Sequence, residues 1–232
     1  MARSVKKPER RRNEFFDAAE RCFRRRGYYE TSVEEIADDV GVAKGLFYYY
    51  FRSKEDLVEQ MAVKIWDDTE PDLVAIVEDD ELDAVAKLML FSKVRRESKA
   101  QRLYLWDVVE KERDSLFMRR ITEEGVRRMV PLLGRIVRQG VEEGFFDTPY
   151  PEEAVEFMLR GSEFITSADL SDPEVLRRQI YIVFDLWRRV LGEDQGVFEG
   201  LAKEGEGFVR AMTEQVKKGN GRSGRTDKEE RK

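Results

Sequence analysis

Apolar residues recur three and four positions apart along most of the chain, and this helical period limits the fold more than any other feature. Phe15, Ala19, Cys22 and Phe23 show it first, because they share one face of a helix over about residues 8–26. Gly27 follows directly, as is typical of a left-handed helix cap. We find no convincing apolar–polar alternation and no internal repeat. The sequence therefore predicts an all-α protein.

Composition then excludes several classes of function. The 232 residues include no histidine and one cysteine, which excludes Ser-His-Asp and Cys-His catalysis and the histidine-containing zinc sites. The single cysteine has no disulfide partner within the chain, and the sequence shows no membrane-length apolar run and no secretory signal. We therefore expect a soluble, cytoplasmic protein with no membrane partner. We also expect no enzymatic activity, no cofactor and no metal site. Catalysis by paired carboxylates stays open, because 48 acidic residues always offer pairs.

Charge is distributed unevenly along the chain. Residues 1–26 carry 10 basic and 4 acidic side chains, whereas residues 27–64 carry 4 basic and 8 acidic ones, within a chain of net charge −6. A basic N-terminal segment followed by a more acidic remainder suggests that one end of the protein binds a polyanion. The alternative is an ordinary solvated face with no partner.

Three short amphipathic helices are predicted within the first 52 residues. Ser32 and the glutamates that follow it form a capping-box pattern, so the second helix should begin near Ser32. Gly41 ends that helix, and a third opens at Ala43. Two short helices joined by a glycine turn are typical of a helix-turn-helix, although the same geometry also serves as a packing corner.

The third helix has the composition of a DNA-contacting surface. If Phe47 and Phe51 face the core, polar groups occupy the opposite face, where lysine and tyrosine suit phosphate oxygens and apolar edges suit a thymine methyl. A glycine within this helix needs a reason, such as close approach to a ligand. The alternative is that the tyrosines are core residues, although three consecutive ones cannot all point inward. The candidates from this reasoning are Lys44, Gly45, Leu46, Tyr48, Tyr49 and, at the start of the next helix, Lys54.

The segment from Arg10 to Leu57 resembles the DNA-binding domain of TetR/AcrR-family transcriptional regulators. The resemblance rests on Gly27-Tyr28, Thr31-Ser32-Val33, Gly41-Val42-Ala43-Lys44-Gly45, Phe47-Tyr48-Tyr49-Tyr50-Phe51 and Ser53-Lys54-Glu55. It implies a regulator, most often a repressor, that binds a palindromic operator in double-stranded DNA as a homodimer and responds to a small molecule. It places Lys44, Gly45, Tyr48, Tyr49 and Lys54 at DNA-contact positions and adds Ser32 and Leu46. Ala43 stands where the family usually has serine, which removes a hydroxyl that usually contacts phosphate.

The predicted domains are a helix-turn-helix domain over 1–52, a helical effector-binding and dimerisation domain over 53–192, and a C-terminal extension over 193–232 with a disordered basic tail. Pro71 predicts a helix break, and Pro131 predicts a kink or a split in a helix over about 115–143. Helices near 151–168 and 173–191 carry more apolar positions than a monomer core needs. The resemblance implies that they form the dimer interface, and the alternative is a thick internal core. The interface candidates are Phe157, Gly161, Phe164, Ile180, Phe184 and Trp187.

The resemblance also implies an effector pocket in the helical body. Aromatic and methionine content favours a largely apolar effector, such as a lipid, a drug or an aromatic compound, although each candidate residue also suits a core position. The candidates are Met61, Ile65, Trp66, Leu88, Phe91, Tyr104, Phe117, Met129 and Phe164. An alternative function is a small-molecule binding protein of the same fold that does not bind DNA specifically.

Overall fold

The computed structural model describes residues 8–100, 115–165, 172–207 and 209, and the regular structure in these ranges is helical, with no strand. The all-α prediction is therefore confirmed. The helices are α1 Pro8–Arg26, α2 Val33–Val40, α3 Lys44–Tyr50, α4 Lys54–Glu78, α5 Ala84–Ala100, α6 Leu116–Glu142, α7 Pro151–Ile165 and α8 Pro173–Val190. Residues 197–207 are also helical.

The described residues belong to two compact units. The first contains residues 8–68 and 115–124, and the second contains residues 69–100, 125–165, 172–207 and 209. Helices α4 and α6 each begin in the first unit and end in the second. The predicted domain boundaries after residues 52 and 192 stay predictions.

An aromatic core organises the first unit. Phe15 of α1 is fully buried, and its ring centroid lies 5.6 Å from those of both Phe47 and Phe51 in edge-to-face geometry, the arrangement that aromatic quadrupoles favour. Phe117 and Met118, from the start of α6, belong to the same buried cluster. The core beneath the first three helices thus includes side chains from much later in the chain.

In the second unit, the helical stretch 197–207 is part of the core. Phe198 is buried, and its ring centroid lies 6.3 Å from that of Phe184 and 6.2 Å from that of Trp187. A Cβ atom built at Gly200 would lie 3.1 Å from the Met89 methyl carbon, so this helical stretch packs closely against Met89 of α5.

The predicted break at Pro71 and the predicted split at Pro131 were wrong, whereas a kink at Pro131 stays a prediction. Helix α4 continues without a break from Lys54 to Glu78 through Pro71, and α6 is one helix from Leu116 to Glu142 that contains Pro131. A proline removes one N–H donor but leaves the other hydrogen bonds of a long helix in place. After Pro71, the buried side chains of Leu73 and Val77 also fix the next turns of α4 by packing.

Candidate nucleic-acid interface

Local hydrogen bonds define where α2 begins and ends. Ser32 Oγ accepts a hydrogen bond from the Glu35 amide at 3.1 Å, and the Glu35 carboxylate accepts one from the Ser32 amide at 2.8 Å. This completes the predicted capping box. Gly41 ends the helix at φ 76°, in the left-handed region that favours glycine. The two ends of α2 are therefore set by the residues that the sequence singled out.

Buried aromatic side chains anchor helix α3 in the core of the first unit. Phe47 is fully buried and Phe51 nearly so, and their ring centroids lie 5.2 Å apart. Tyr48 contacts Phe47 edge-to-face at 5.5 Å, which orients the first exposed tyrosine ring. Because these contacts come from α1 and from α3 itself, the outer face of α3 is presented on a rigid base.

The outer face of α3 combines one cation with two hydroxyl groups. Tyr48 is 52% exposed and Tyr49 is 78% exposed, and half of the Lys44 side chain is accessible. No atom lies within 4 Å of a Cβ built at Gly45, so contacts within the protein do not demand glycine there. The structure thus brings four of the predicted DNA-contact residues together on one exposed surface.

Two other predicted DNA contacts are placed differently. Leu46 is half-buried and packs against the core of the first unit. The Lys54 ammonium donates hydrogen bonds to the carbonyls of Tyr28 at 2.7 Å and Thr31 at 2.9 Å, and lies 4.1 Å from the centre of the Tyr28 ring. Burial lowers the pKa of Lys54. Its charge is therefore used inside the protein, where it ties α4 to the loop before α2.

Ser32 is exposed at the N-terminus of α2. Because Oγ accepts the capping hydrogen bond from Glu35, its hydroxyl proton can still be donated to an anion. Ala43, at the N-cap of α3, makes no side-chain hydrogen bond. The start of α3 is thus less strongly fixed than the start of α2.

Most arginines near this surface are paired with acids. Arg21 contacts Asp39 at 2.5 Å and Arg52 contacts Asp56 at 3.3 Å, while Arg26 pairs with Glu35 of the capping box. Lys44 lies 3.8 Å from a Glu34 carboxylate oxygen, and both side chains are largely exposed. Glu34 is not among the residues predicted from the sequence, since no local pattern links the first turn of α2 to the first turn of α3.

The predicted effector residues are divided between the two units. Met61 and Phe117 belong to the aromatic core of the first unit, whereas Trp66 lines a 220 Å³ surface cleft there with Ile121 and Arg120. Ile65 is half-buried in the first unit; in the second, Leu88 and Phe91 are buried and Met129 is half-buried. Tyr104 and the side chain of Phe164 lie outside the described residues.

The predicted dimer residues have two different environments. Phe157 is 68% exposed on α7, and the space around Gly161 is open. By contrast, Phe184 and Trp187 contact Phe198 of the same chain. Ile180 is half-buried. Three residues of α8 that were not predicted are each about two-fifths exposed, namely Tyr181, Ile182 and Leu186.

Among the described residues, no group of three or more acidic or cysteine side chains is arranged to hold a metal ion. None of the described helices is long and apolar enough to cross a bilayer.

Residues 15–61 match the sequence profile of the bacterial regulatory proteins of the tetR family. The chain is also 41% identical over 54 residues to the transcriptional repressor KstR2 of Mycolicibacterium smegmatis, a match that covers 23% of this chain and 26% of that repressor. Over 185 residues it is 25% identical to the HTH-type transcriptional regulator Rv0472c of Mycobacterium tuberculosis, which covers 78% of each chain.

Among solved structures, the fatty acid degradation regulator FadR from Bacillus halodurans superposes with a TM-score of 0.58 at 20% sequence identity. The alignment covers 85% of this chain and 98% of FadR. At this level of identity the comparison establishes a shared fold.

Proposed function

We propose that this chain is a DNA-binding transcriptional repressor that a largely apolar effector releases from a palindromic operator, because residues 15–61 match the sequence profile of the tetR family. The observation that carries the proposal is the outer face of α3, where Lys44, Tyr48 and Tyr49 stand exposed on a rigid aromatic base. We assign it to the cytoplasm, and to regulation rather than catalysis.

In the proposed complex, α3 enters the major groove, which is wide enough to admit one helix. The Tyr48 and Tyr49 hydroxyls and the Lys44 ammonium donate to phosphate oxygens, which fixes the register of the helix on the duplex. Gly45 lets the backbone of α3 approach the DNA, because nothing in the protein fills the space beside it. Ser32 adds a hydroxyl from the start of α2.

A palindrome requires two copies of α3, and the second unit offers a face for the second copy. Phe157 on α7 and Ile182 and Leu186 on α8 are exposed apolar side chains, of the kind that interfaces bury. Ile182 and Leu186 lie one turn apart and share a side of α8. We propose that this face pairs with its equivalent in a second subunit.

The proposed effector is largely apolar. Leu88, Phe91 and Met129 supply apolar side chains within the second unit, and the structural relative FadR is named for fatty acid degradation. An effector shifts the regulator between conformations only by its difference in affinity for them. We therefore expect it to bind more tightly to the conformation that does not fit the operator.

The alternative is a protein of the same fold that binds a small molecule but no specific DNA. The observation in its favour is the acidic character of residues 27–64, which carry 8 acidic against 4 basic side chains. Specific DNA binding that weakens with salt separates the two functions.

The test is selection from random duplex DNA by the purified chain at near-physiological salt, followed by sequencing. We expect an enriched palindrome. Substitution Tyr48→Ala should weaken binding to every operator variant about equally, because it removes a phosphate contact. Leu46→Met should instead change the preference among variants, because the accessible part of this half-buried side chain offers an apolar edge to a thymine methyl.

Tyr150→Ala is the matched control, because Tyr150 is 65% exposed but lies in the second unit. Equal losses on every variant for Tyr48→Ala and Leu46→Met would contradict the assigned division of roles. A folded, ligand-free chain that enriches no sequence would contradict the proposed function itself.

A further inference from the structure

The exposed face of α3 carries little positive charge. Helix α3 contains one charged side chain, Lys44. The neighbouring arginines Arg21, Arg26 and Arg52 each pair with an acidic residue of the first unit. Since duplex binding depends strongly on cations that replace the counterions of DNA, the environment of Lys44 matters more here than that of one lysine usually would.

The acidic neighbour of Lys44 is Glu34, and the fold does not depend on the ion pair between them. The Glu34 carboxylate lies 3.8 Å from the Lys44 ammonium, with 69% of the Glu34 side chain and 50% of the Lys44 side chain exposed. Capping of α2 is performed by Ser32 and Glu35 instead. An exposed pair of this kind adds little stability, so the fold does not require Glu34 to be acidic.

A phosphate that binds Lys44 competes with this carboxylate for the charge of the ammonium group. Glu34 offers the same kind of anionic oxygen as a phosphate does, from a position one helix away. Separating the pair costs binding energy whatever the base sequence, because phosphate contacts carry no sequence information. The cost should be of the size measured for exposed ion pairs, and salt should screen it.

We infer that Glu34 is an intramolecular competitor for Lys44, which lowers the affinity of this chain for every DNA duplex by holding the recognition-helix cation. The inference rests on the proposed DNA-binding function and deepens it. In a cell, such a competitor reduces occupancy of the many non-specific sites without changing the base preference of α3. Glu34 is therefore a positioning residue that acts through Lys44.

The test is a double-mutant cycle on the full-length chain. Dissociation constants are measured for wild type, Glu34→Gln, Lys44→Gln and the double variant, each on a selected duplex and on a scrambled duplex of equal length. We expect Glu34→Gln to tighten binding about two- to fivefold on both duplexes at low salt. This gain should shrink at higher salt, and it should be absent in the Lys44→Gln background.

Glu81→Gln is the matched control, because it makes the same change in net charge at an exposed position in the turn after α4. Circular dichroism confirms that each variant is folded. Glu81→Gln should bind both duplexes as wild type does, and an equal gain from it would overturn the inference in favour of a net-charge effect.

Three other outcomes would also overturn it. The first is an affinity of Glu34→Gln that equals that of wild type. The second is an equal gain in the Lys44→Gln background, which indicates that Glu34 simply repels DNA. The third is weaker binding of Glu34→Gln to the selected duplex alone, which indicates that Glu34 reads a base. If wild type shows no preference for any duplex but Glu34→Gln gains affinity as expected, the proposed function fails and the inference stands. If wild type binds a palindrome and Glu34→Gln matches it, the reverse holds.

Discussion

Replacement of Lys54 with methionine removes the ammonium group that ties the start of α4 to the loop before α2. In the wild type this group donates to the Tyr28 and Thr31 carbonyls at 2.7 and 2.9 Å and lies over the Tyr28 ring. Methionine keeps the apolar stem of the side chain but cannot donate a hydrogen bond. Both carbonyls then lose the bond from Lys54 in a partly buried site, although the Tyr28 carbonyl still accepts a hydrogen bond from the Thr31 amide at 3.2 Å.

The size of the effect follows from these contacts. A hydrogen bond to a charged group contributes about 1.5–3 kcal/mol, and an ammonium–ring contact contributes about 0.5–1 kcal/mol at a partly exposed site. Because the three contacts share one ammonium, and because burial lowers the pKa of Lys54 and so offsets part of the gain, they do not add. We expect Lys54→Met to reduce the free energy of unfolding of the first unit by about 2–4 kcal/mol.

Urea unfolding followed by circular dichroism measures the loss, and hydrogen exchange of the α2 and α3 amides assigns it to the first unit. Lys64→Met is the matched control on the same helix, because the Lys64 ammonium contacts Asp68 at 2.9 Å in an exposed i,i+4 pair. That variant should lose less than about 0.5 kcal/mol. Salt titrations of DNA binding for both variants complete the experiment.

The salt titration decides between two roles for Lys54. If the ammonium remains on the two carbonyls, loss of Lys54 leaves the slope of log affinity against log salt unchanged. If it contacts a phosphate instead, the slope should decrease in magnitude by about 0.9. A Lys54→Met variant that is as stable as Lys64→Met, with the smaller slope, would refute the role of Lys54 as a tie between α4 and the loop before α2.

Two further predictions concern the capping box and the subunit interface. The Ser32 amide and Arg26 hold the pKa of Glu35 below its usual value. Because this pKa is lower in the folded than in the unfolded state, the stability that Glu35 adds is present above about pH 4.3. It is lost as the pH falls through the folded-state pKa. The difference in Tm between wild type and Glu35→Gln should therefore vanish in strong acid, and a difference that persists there would contradict this origin. Phe157→Lys should weaken dimer formation at least tenfold in sedimentation equilibrium, because it buries a charge in the proposed interface, whereas Leu116→Lys, at a similarly exposed position of the first unit, should not.

The sequence predicted the local features of the candidate site well, because their causes are local. A capping box links residues three apart, and a left-handed turn selects glycine by its own backbone conformation, so Ser32 and Gly41 could be identified directly. The inward and outward faces of α3 follow from helical period alone, which placed Phe47 inside and Tyr49 outside.

The features that the sequence did not predict depend on distant partners. The acceptors of Lys54 are carbonyls of the loop before α2, and the neighbour of Lys44 belongs to another helix. Gly200 has the local character of a helix breaker, and the side chain it packs closely against, Met89 of α5, comes more than 100 residues earlier in the chain. Pro71 predicted a break because the loss of one backbone hydrogen bond can be read from the sequence, whereas the packing of Leu73 cannot.

The place of Phe117 and Met118 in the aromatic core of the first unit has a consequence for synthesis of the chain. A ribosome makes all of α1, α2 and α3 long before it adds these two side chains. At about 5–20 residues per second, the nascent helices wait for several seconds with Phe15 and its neighbours incompletely covered. The aromatic core of the first unit is therefore completed late in translation, after much of the second unit's first segment has already left the ribosome.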